Sequence, residues 1–359
     1  MAALALAHHL LFGVLLFGVS TALTWCMLRL KIMSMPNRRS SHDRPVPNSG
    51  GVAIVLTFFA GYSVFFFFAD EALIGSSHMI GFAVTALGVA AISLADDLGH
   101  FRSFWIKLAA QFSAALVLVA FDIVFRTMSL PVLGSFELGW WGYPMTVLWI
   151  VAMTNIFNFM DGLDGLAGGC GVIVAMFFGV VTALEGSHSV YILCYVLLAS
   201  VLGFLIFNFP TARIFMGDVG SQFLGFGFAA IAVIAAEYDT SRTSLLIMPL
   251  LFFHFIFDVT FTYFRRLFAG QNVTQAHRAH LYQLMNQLGA SHLRVGVFHF
   301  TVTVAQGIGA LVLIEMDTQY RIVVFAPYVV FQVVYAVVVI RMSSARGLLD
   351  VGDARRGPS

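Results

Sequence analysis

Charge is scarce in this chain. Of its 359 residues only 10% are Asp, Glu, Lys or Arg, while 60% are hydrophobic; soluble domains carry about 25% charged residues. That shortage excludes an ordinary water-exposed domain. The net charge is +1, and no basic patch interleaved with aromatics stands on a polar module, which excludes nucleic acid as a partner. Cysteine is scarce too. Cys26, Cys170 and Cys194 lie in or beside apolar runs, and an odd, scattered set builds neither a disulfide framework nor a zinc site. Internal repeats and low-complexity linkers are missing. No positively charged stretch precedes the first apolar run, residues 2–28, and that run is too long for a secretory signal. Arg29, Lys31, Arg38 and Arg39 follow it instead, so the expectation is a retained first helix with its N-terminus outside.

What the sequence has in quantity is uninterrupted apolar length. About 20 apolar residues cross a bilayer core of roughly 30 Å. Runs such as Tyr191–Phe207 reach that scale without a charge and without the polar face of a surface helix. The expected fold is an all-α polytopic membrane protein with about eleven transmembrane helices. They fall near 4–28, 51–69, 78–95, 105–127, 141–158, 167–184, 190–207, 222–238, 243–264, 293–315 and 321–341. A single catalytic domain spans 1–342, and 343–359 is a polar cytoplasmic tail. With the N-terminus outside, 16 Lys and Arg fall on inner segments; the outer loops hold three, Arg126, Arg242 and Arg321. This bias places the C-terminus in the cytoplasm.

The acidic residues divide. Asp70, Glu71, Glu137, Glu185, Glu237, Asp239, Glu315 and Asp317 fall on short outer loops and read as solvated loop charge. Asp96, Asp97, Asp161, Asp164 and Asp218 lie at inner helix ends, where carboxylates beside hydrocarbon need counter-charge from a metal ion or a basic cluster. Asp96-Asp97 closes the third span, with Arg102 after it; the pair can bind a divalent cation or supply a base, or be helix-end charge facing water. In Asn155-Ile-Phe-Asn158-Phe-Met-Asp161-Gly-Leu-Asp164, the polar residues recur every three positions, which keeps them near one face while the helix lasts. The Gly-rich continuation lets backbone turn or approach a ligand. Asn208–Ser221 carries Pro210, which ends the seventh span, Asp218 as a hard-oxygen ligand, and Ser221 as cap of the eighth helix. On the long inner loop His277, Arg278 and His280 suit phosphate or sugar oxygens; two imidazoles at i, i+3 lack a third zinc ligand. Arg38, Arg39, His42 and Arg44 satisfy the positive-inside bias and can meet a lipid phosphate.

Taken together, from about residue 36 to residue 295, these motifs resemble the polyprenyl-phosphate N-acetylhexosamine-1-phosphate transferases (glycosyltransferase family 4). The order is Arg44-Pro-Val-Pro-Asn-Ser-Gly-Gly51, Asp96-Asp97, DGLDG, FMGDVGS and AHRAHLYQ. The last form is similar to the branch that initiates O-antigen or related glycans, and departs from the three-histidine loop of the muramyl-pentapeptide branch. The Asp-Asp motif lacks the nearby lysine seen in parts of the family, with Arg102 as its replacement. The resemblance implies Mg²⁺ (Mn²⁺ as alternative), a UDP-N-acetylhexosamine-type donor, a polyprenyl phosphate acceptor, a homodimer, and an inner (plasma) membrane location. It implies metal ligation by Asn158 and Asp218, and catalytic roles for Asp96, Asp97, Asp161 and Asp164. It also implies substrate contacts from Asn155, Asn208, Phe215, His277, Arg278 and His280. The rival reading is a transporter of an anionic solute, for which Asp258, inside the ninth expected span, would be the marker; its simpler role is to partner an inner-face donor.

Overall fold

Nine helices have the length and apolarity to cross a bilayer among the described residues, and they pack around one that is buried almost throughout. The computed structural model describes residues 2–30, 33–34, 45–68, 74–100, 103–130, 134–275 and 277–349. Lys31, Arg38, Arg39, His42, Arg44, Asp70, Glu71, Arg102 and residues 350–359 of the expected tail lie outside them. The helices are α1 (Ala2–Leu30), α2 (Gly50–Phe68), α3 (Ser76–Asp97), α4 (Phe104–Ala120), α5 (Gly142–Met160), α6 (Leu166–Leu184) and α7 (Ser189–Asn208). They continue as α8 (Gly217–Glu237), α9 (Ile247–Leu251), α10 (Phe253–Phe268), α11 (Leu281–Gln287), α12 (His292–Glu315) and α13 (Phe325–Ala345). Two small antiparallel pairs, β1 (Met33–Ser34) with β2 (Val46–Pro47) and β3 (Thr127–Leu130) with β4 (Gly134–Glu137), are the sheet among the described residues.

The chain is an all-α, multi-pass membrane protein, as expected, and each apolar run is helical. Two runs depart in detail. The fourth stops at Ala120, short of the expected 127, because Asp122 turns the chain with φ +65°. The ninth is broken: α9 ends at Leu251, and α10 starts after the fully buried Phe252.

The central helix is α8. Its small residues let neighbours approach to backbone contact, the means by which membrane helices associate when lipid is as apolar as their side chains. Gly225 is one such point. A methyl group there would sit 2.8 Å from the Met153 carbonyl oxygen and 2.9 Å from Thr154 Cα of α5. Gly225→Ala should therefore cost about 1–3 kcal/mol by overpacking. A lowered thermal transition of the purified protein would show it; an unchanged transition would mean that α5 and α8 pack less tightly than described. Above this contact Phe157, Phe228 and Phe252 cluster with ring centroids 5.1–6.1 Å apart.

The outer acids are not all solvated. Glu237 is 6% and Asp239 2% exposed. Glu237 Oε1 accepts from Arg126 N and Thr127 N, both at 3.0 Å; Asp239 Oδ2 accepts from Ser241 N at 3.0 Å. These carboxylates replace water for backbone N–H groups at the turns where the chain re-enters the bundle, so the expectation of simple loop charge is corrected for both.

Candidate active site

The ends of α3 and α5 and the starts of α4, α6 and α8 meet at one end of the bundle. Alternating antiparallel helices bring these termini together, and with them four of the five inner carboxylates into direct contact with groups of the other segments. The centre is Lys107, in the first turn of α4 and the one charged residue of that helix. Its ammonium pairs with Asp96 and stands 2.8 Å from Asp218 Oδ2. The expectation that a lysine near the Asp-Asp pair is missing is thus corrected: Lys107 occupies that place through space, while Arg102 lies outside the described residues. A lone lysine in an apolar helix was the available signal, since such a charge must be paired.

Asp218 is held from several sides. Its Oδ1 accepts from Asn158 Nδ2 at 3.1 Å and its Oδ2 from Gln222 Nε2 at 3.3 Å. Asn158 also donates to Ser221 Oγ at 2.7 Å. Ser221 is not the cap of α8. The helix begins at Gly217, and Ser221 bonds back to the Gly217 carbonyl at 2.9 Å from within it.

The capping is done by Asp97, from α3. Its Oδ1 accepts from Asp218 N at 3.1 Å and from Asn48 Nδ2 at 3.1 Å, and its Oδ2 from Val219 N at 3.0 Å. A carboxylate at a helix N-terminus meets unpaired N–H groups and the positive end of the helix dipole. Gly217 makes the approach feasible: its φ is +67°, and a β-carbon there would lie 2.6 Å from Asp97 Oδ2. Neighbours in sequence, Asp96 and Asp97 therefore differ in kind. One faces an ammonium; the other is spent on backbone.

Asn155 donates to Gln111 Oε1 at 2.6 Å and to the Val151 carbonyl at 2.8 Å, and Gln111 donates to Gln222 Oε1 at 3.0 Å. This amide relay lies beneath Asp218 and braces it. Asn208, expected to touch substrate, is 3% exposed and uses both ends internally: Oδ1 accepts from Gly165 N at 3.0 Å and Nδ2 donates to the Ile214 carbonyl at 2.8 Å. Its part is to join the glycine-rich turn to the loop before α8, and the expectation of a substrate contact is corrected accordingly.

Asp161 ends α5. Burial, reinforced by the negative charges of Asp218, Asp97 and Asp164, pushes its carboxyl up to about 8. Without a cation it holds a proton at neutral pH; positive charge brought to the site would release it. Asp164 behaves oppositely. Burial works to raise its pKa, but the His292 imidazole at 3.2 Å and the Ala212 N–H at 3.0 Å outweigh it and hold the carboxyl below its ordinary range. Asp164 also lines a cavity of about 1140 Å³, with Pro47, Arg213, Phe215 and His292 on its walls. This is the scale of a small-molecule site.

His277 and His280 are brought together, with ring centroids 4.9 Å apart, but bond differently. His277 Nδ1 accepts from Ala279 N at 3.2 Å, so a neutral ring carries its proton on Nε2. Burial, then the nearby His280, Arg266 and Arg265, lowers its pKa to about 3, which makes it a neutral donor. His280 is 5% exposed and faces Asp258 through Nδ1. Arg278 is half-buried on the same loop.

The donors around Asp218 suit magnesium. They are hard oxygens of carboxylate, carboxamide and hydroxyl type. Among the described residues no group of three or more His, Cys, Asp or Glu forms a ready metal cage. Magnesium does not require one, because it is usually held by one or two carboxylates with substrate phosphates and water completing the shell. Asn158 now presents its nitrogen to Asp218, and a half-turn of the amide presents the oxygen.

Comparison with known proteins identifies the family. Residues 79–236 match the family model described as glycosyl transferase family 4. A probable undecaprenyl-phosphate N-acetylglucosaminyl 1-phosphate transferase of Bacillus subtilis (strain 168) is 32% identical over 287 residues, covering 80% of this chain and 78% of the relative. A decaprenyl-phosphate N-acetylglucosaminephosphotransferase of Mycobacterium leprae (strain TN) is 33% identical over 293 residues, covering 74% and 73%. A phospho-N-acetylmuramoyl-pentapeptide-transferase of Lacticaseibacillus paracasei is 36% identical over a shorter 149 residues, 39% of this chain and 46% of the relative. The chain belongs to the polyprenyl-phosphate N-acetylhexosamine-1-phosphate transferase family.

Proposed function

We propose that this protein transfers an N-acetylhexosamine 1-phosphate, or a deoxy relative, from a UDP-sugar to a polyprenyl phosphate such as undecaprenyl phosphate, releasing UMP. The observation that carries the reading is the Asp96–Lys107–Asp218–Asn158 chain, together with a cavity lined by Asp164 and by Phe215 of the segment that leads into Asp218. Similarity to the Bacillus and mycobacterial relatives, whose names specify polyprenyl-phosphate N-acetylglucosamine transfer, supports it.

In this reading an oxygen of the lipid phosphate attacks the β-phosphorus of the nucleotide sugar. A new P–O bond forms, the bond to the α-phosphate oxygen breaks, and UMP leaves with that oxygen. The second pKa of a phosphate monoester is near 6, so the attacking group is largely dianionic at neutral pH. Asp96 orients it and takes any remaining proton; Asp97 has its oxygens committed to the start of α8. Lys107 holds the charge balance between Asp96, Asp218 and the incoming phosphates. Asp218 and the Asn158 oxygen would hold magnesium, which would supply neutralisation of the diphosphate. Asp161 gives up its proton as positive charge arrives. The nucleoside lies in the cavity against Phe215, with Asp164 and Arg213 at its polar edge, and His277 and Arg278 meet the sugar or its diphosphate.

The excess of Lys and Arg on alternate loops supports the reading that this end of the bundle faces the cytoplasm at a plasma membrane, where soluble donor and membrane-held acceptor would meet. The AHRAHLYQ loop favours the O-antigen-like branch of surface glycans over a muramyl-pentapeptide donor. The transporter alternative loses its marker, because Asp258 is fully bonded to the start of α11.

The test is a UMP-release assay with labelled UDP-N-acetylhexosamines, undecaprenyl phosphate and Mg²⁺. Release is expected with at least one donor and none without the lipid. Folded protein that releases no UMP with any donor would defeat the proposal.

A further inference from the structure

Asp258 is a carboxylate within α10, 0% exposed, and the reaction above does not use it. Four donors converge on it. Oδ1 accepts from His280 Nδ1 at 3.2 Å, Leu281 N at 2.9 Å and Thr262 Oγ1 at 3.2 Å; Oδ2 accepts from Tyr282 N at 3.0 Å. Two of these are backbone groups at the start of α11, where a capping box also has Gln283 Oε1 accepting from His280 N at 3.3 Å. Asp258 therefore does for α11, from the helix just before it in the chain, what Asp97 does for α8 from a helix distant in sequence.

The bond to His280 carries further information. A carboxylate accepts and cannot donate, so the proton of a neutral ring is on Nδ1. Nε2 is left bare, and among the described residues nothing bonds to it. The ring is fixed in the plane this bond requires, stacked near Phe159 and Tyr282 with centroids 6.0 and 5.9 Å away. Tyr282 reaches further: its hydroxyl donates to the Phe159 carbonyl at 2.9 Å and accepts from Gln283 Nε2 at 3.1 Å. Phe159 lies two residues before Asp161. One buried carboxylate thus sets both the tautomer of His280 and the seat of the loop against the end of α5.

We propose that Asp258 is a positioning residue of the transfer reaction: it holds His280 in the Nδ1–H tautomer, with Nε2 open to a donor on the substrate, and locks α11 against the turn that bears Asp161. His277, bonded through Nδ1 as an acceptor, is in the opposite tautomer, so the pair presents one donor and one acceptor. That combination matches a sugar hydroxyl or amide, which offers both. The proposal rests on the transferase reading for its kinetics and on geometry alone for the tautomers.

The experiment has two arms. Nitrogen NMR of ¹⁵N-histidine-labelled protein, with His280→Gln for assignment, reads the tautomer without substrate. The neutral ring of His280 should carry its proton on Nδ1, and Asp258→Asn should disturb that state. A wild-type His280 protonated at Nε2 would overturn the proposal. In the kinetic arm, Asp258→Asn and His280→Gln should each lower kcat by about 10–100-fold, the range seen when a partner that orients a functional histidine is removed. KM for the donor should change less. The double variant should be no worse than His280→Gln alone, because the two act as one unit. Losses that multiply, or wild-type kcat in either single variant, would refute it. If Asp258→Asn does not fold, the wild-type tautomer and the His280→Gln kinetics still decide. Absence of turnover in wild-type protein would remove the transferase reading and leave the tautomer result standing.

Discussion

Replacing Lys107 with methionine is expected to reduce kcat by about 10²–10³-fold, the usual scale for losing one preorganised electrostatic contact in a phosphoryl-transfer site. The ammonium faces Asp96 and Asp218 together. Without it two carboxylates confront each other and the diphosphate with no fixed positive charge. Methionine keeps the length and the apolar stem, so the packing of α4 should survive. Lys107→Arg keeps the charge but offers a planar fork where a compact ammonium fits; it should recover part of the activity. Steady-state UMP release together with a thermal transition separates chemistry from folding. Wild-type turnover in the methionine variant would exclude Lys107 from the site.

Asp218→Asn should be at least as damaging, with loss of about 10³-fold or more in kcat. Asp218 gathers Lys107, Asn158 and Gln222 on its two oxygens, and it is the carboxylate best placed to share a divalent cation with a diphosphate. An asparagine keeps the shape, but removes the charge and turns one acceptor into a donor aimed at another donor. The backbone N–H of residue 218 still meets Asp97, so α8 should remain capped and insertion should be unaffected. Raising Mg²⁺ should not restore the rate. If activity persists, or returns with excess Mg²⁺ alone, Asp218 does not carry the role given to it.

Much of the fold was legible because a bilayer imposes a single length scale. The apolar runs are helical, one of them broken at Phe252, and amino-acid composition alone indicated that water is not the main solvent. The breaks were less legible. Pro249, three residues earlier, weakens the helix locally, but the position of the break, at Phe252, comes with the packing of that ring against Phe157, Phe228 and Phe255. The site was legible as a set of residue types: Asp96, Asp218 and Asn158 were all picked out, and they converge. The partition of roles among them was not. Residues 96 and 97 project about 100° apart on a helix, and which direction leads to α8 and which to Lys107 is a matter of tertiary placement. Lys107 and Asp218 are 111 residues apart, and no local pattern measures such a distance. Asn208 shows the converse: a polar residue in a functional motif proves to be a tie between loops.

The early end of α4 has a consequence for the lipid around it. Seventeen residues rise about 26 Å at 1.5 Å each, several ångströms less than a typical hydrocarbon core. A membrane meets such a mismatch by thinning locally. Thinning centred on the helix that carries Lys107 would lower the phosphate layer toward the ammonium there. A lipid acceptor diffusing in the membrane plane would then arrive already lowered to the depth of the reaction, and the bilayer itself would do part of the delivery.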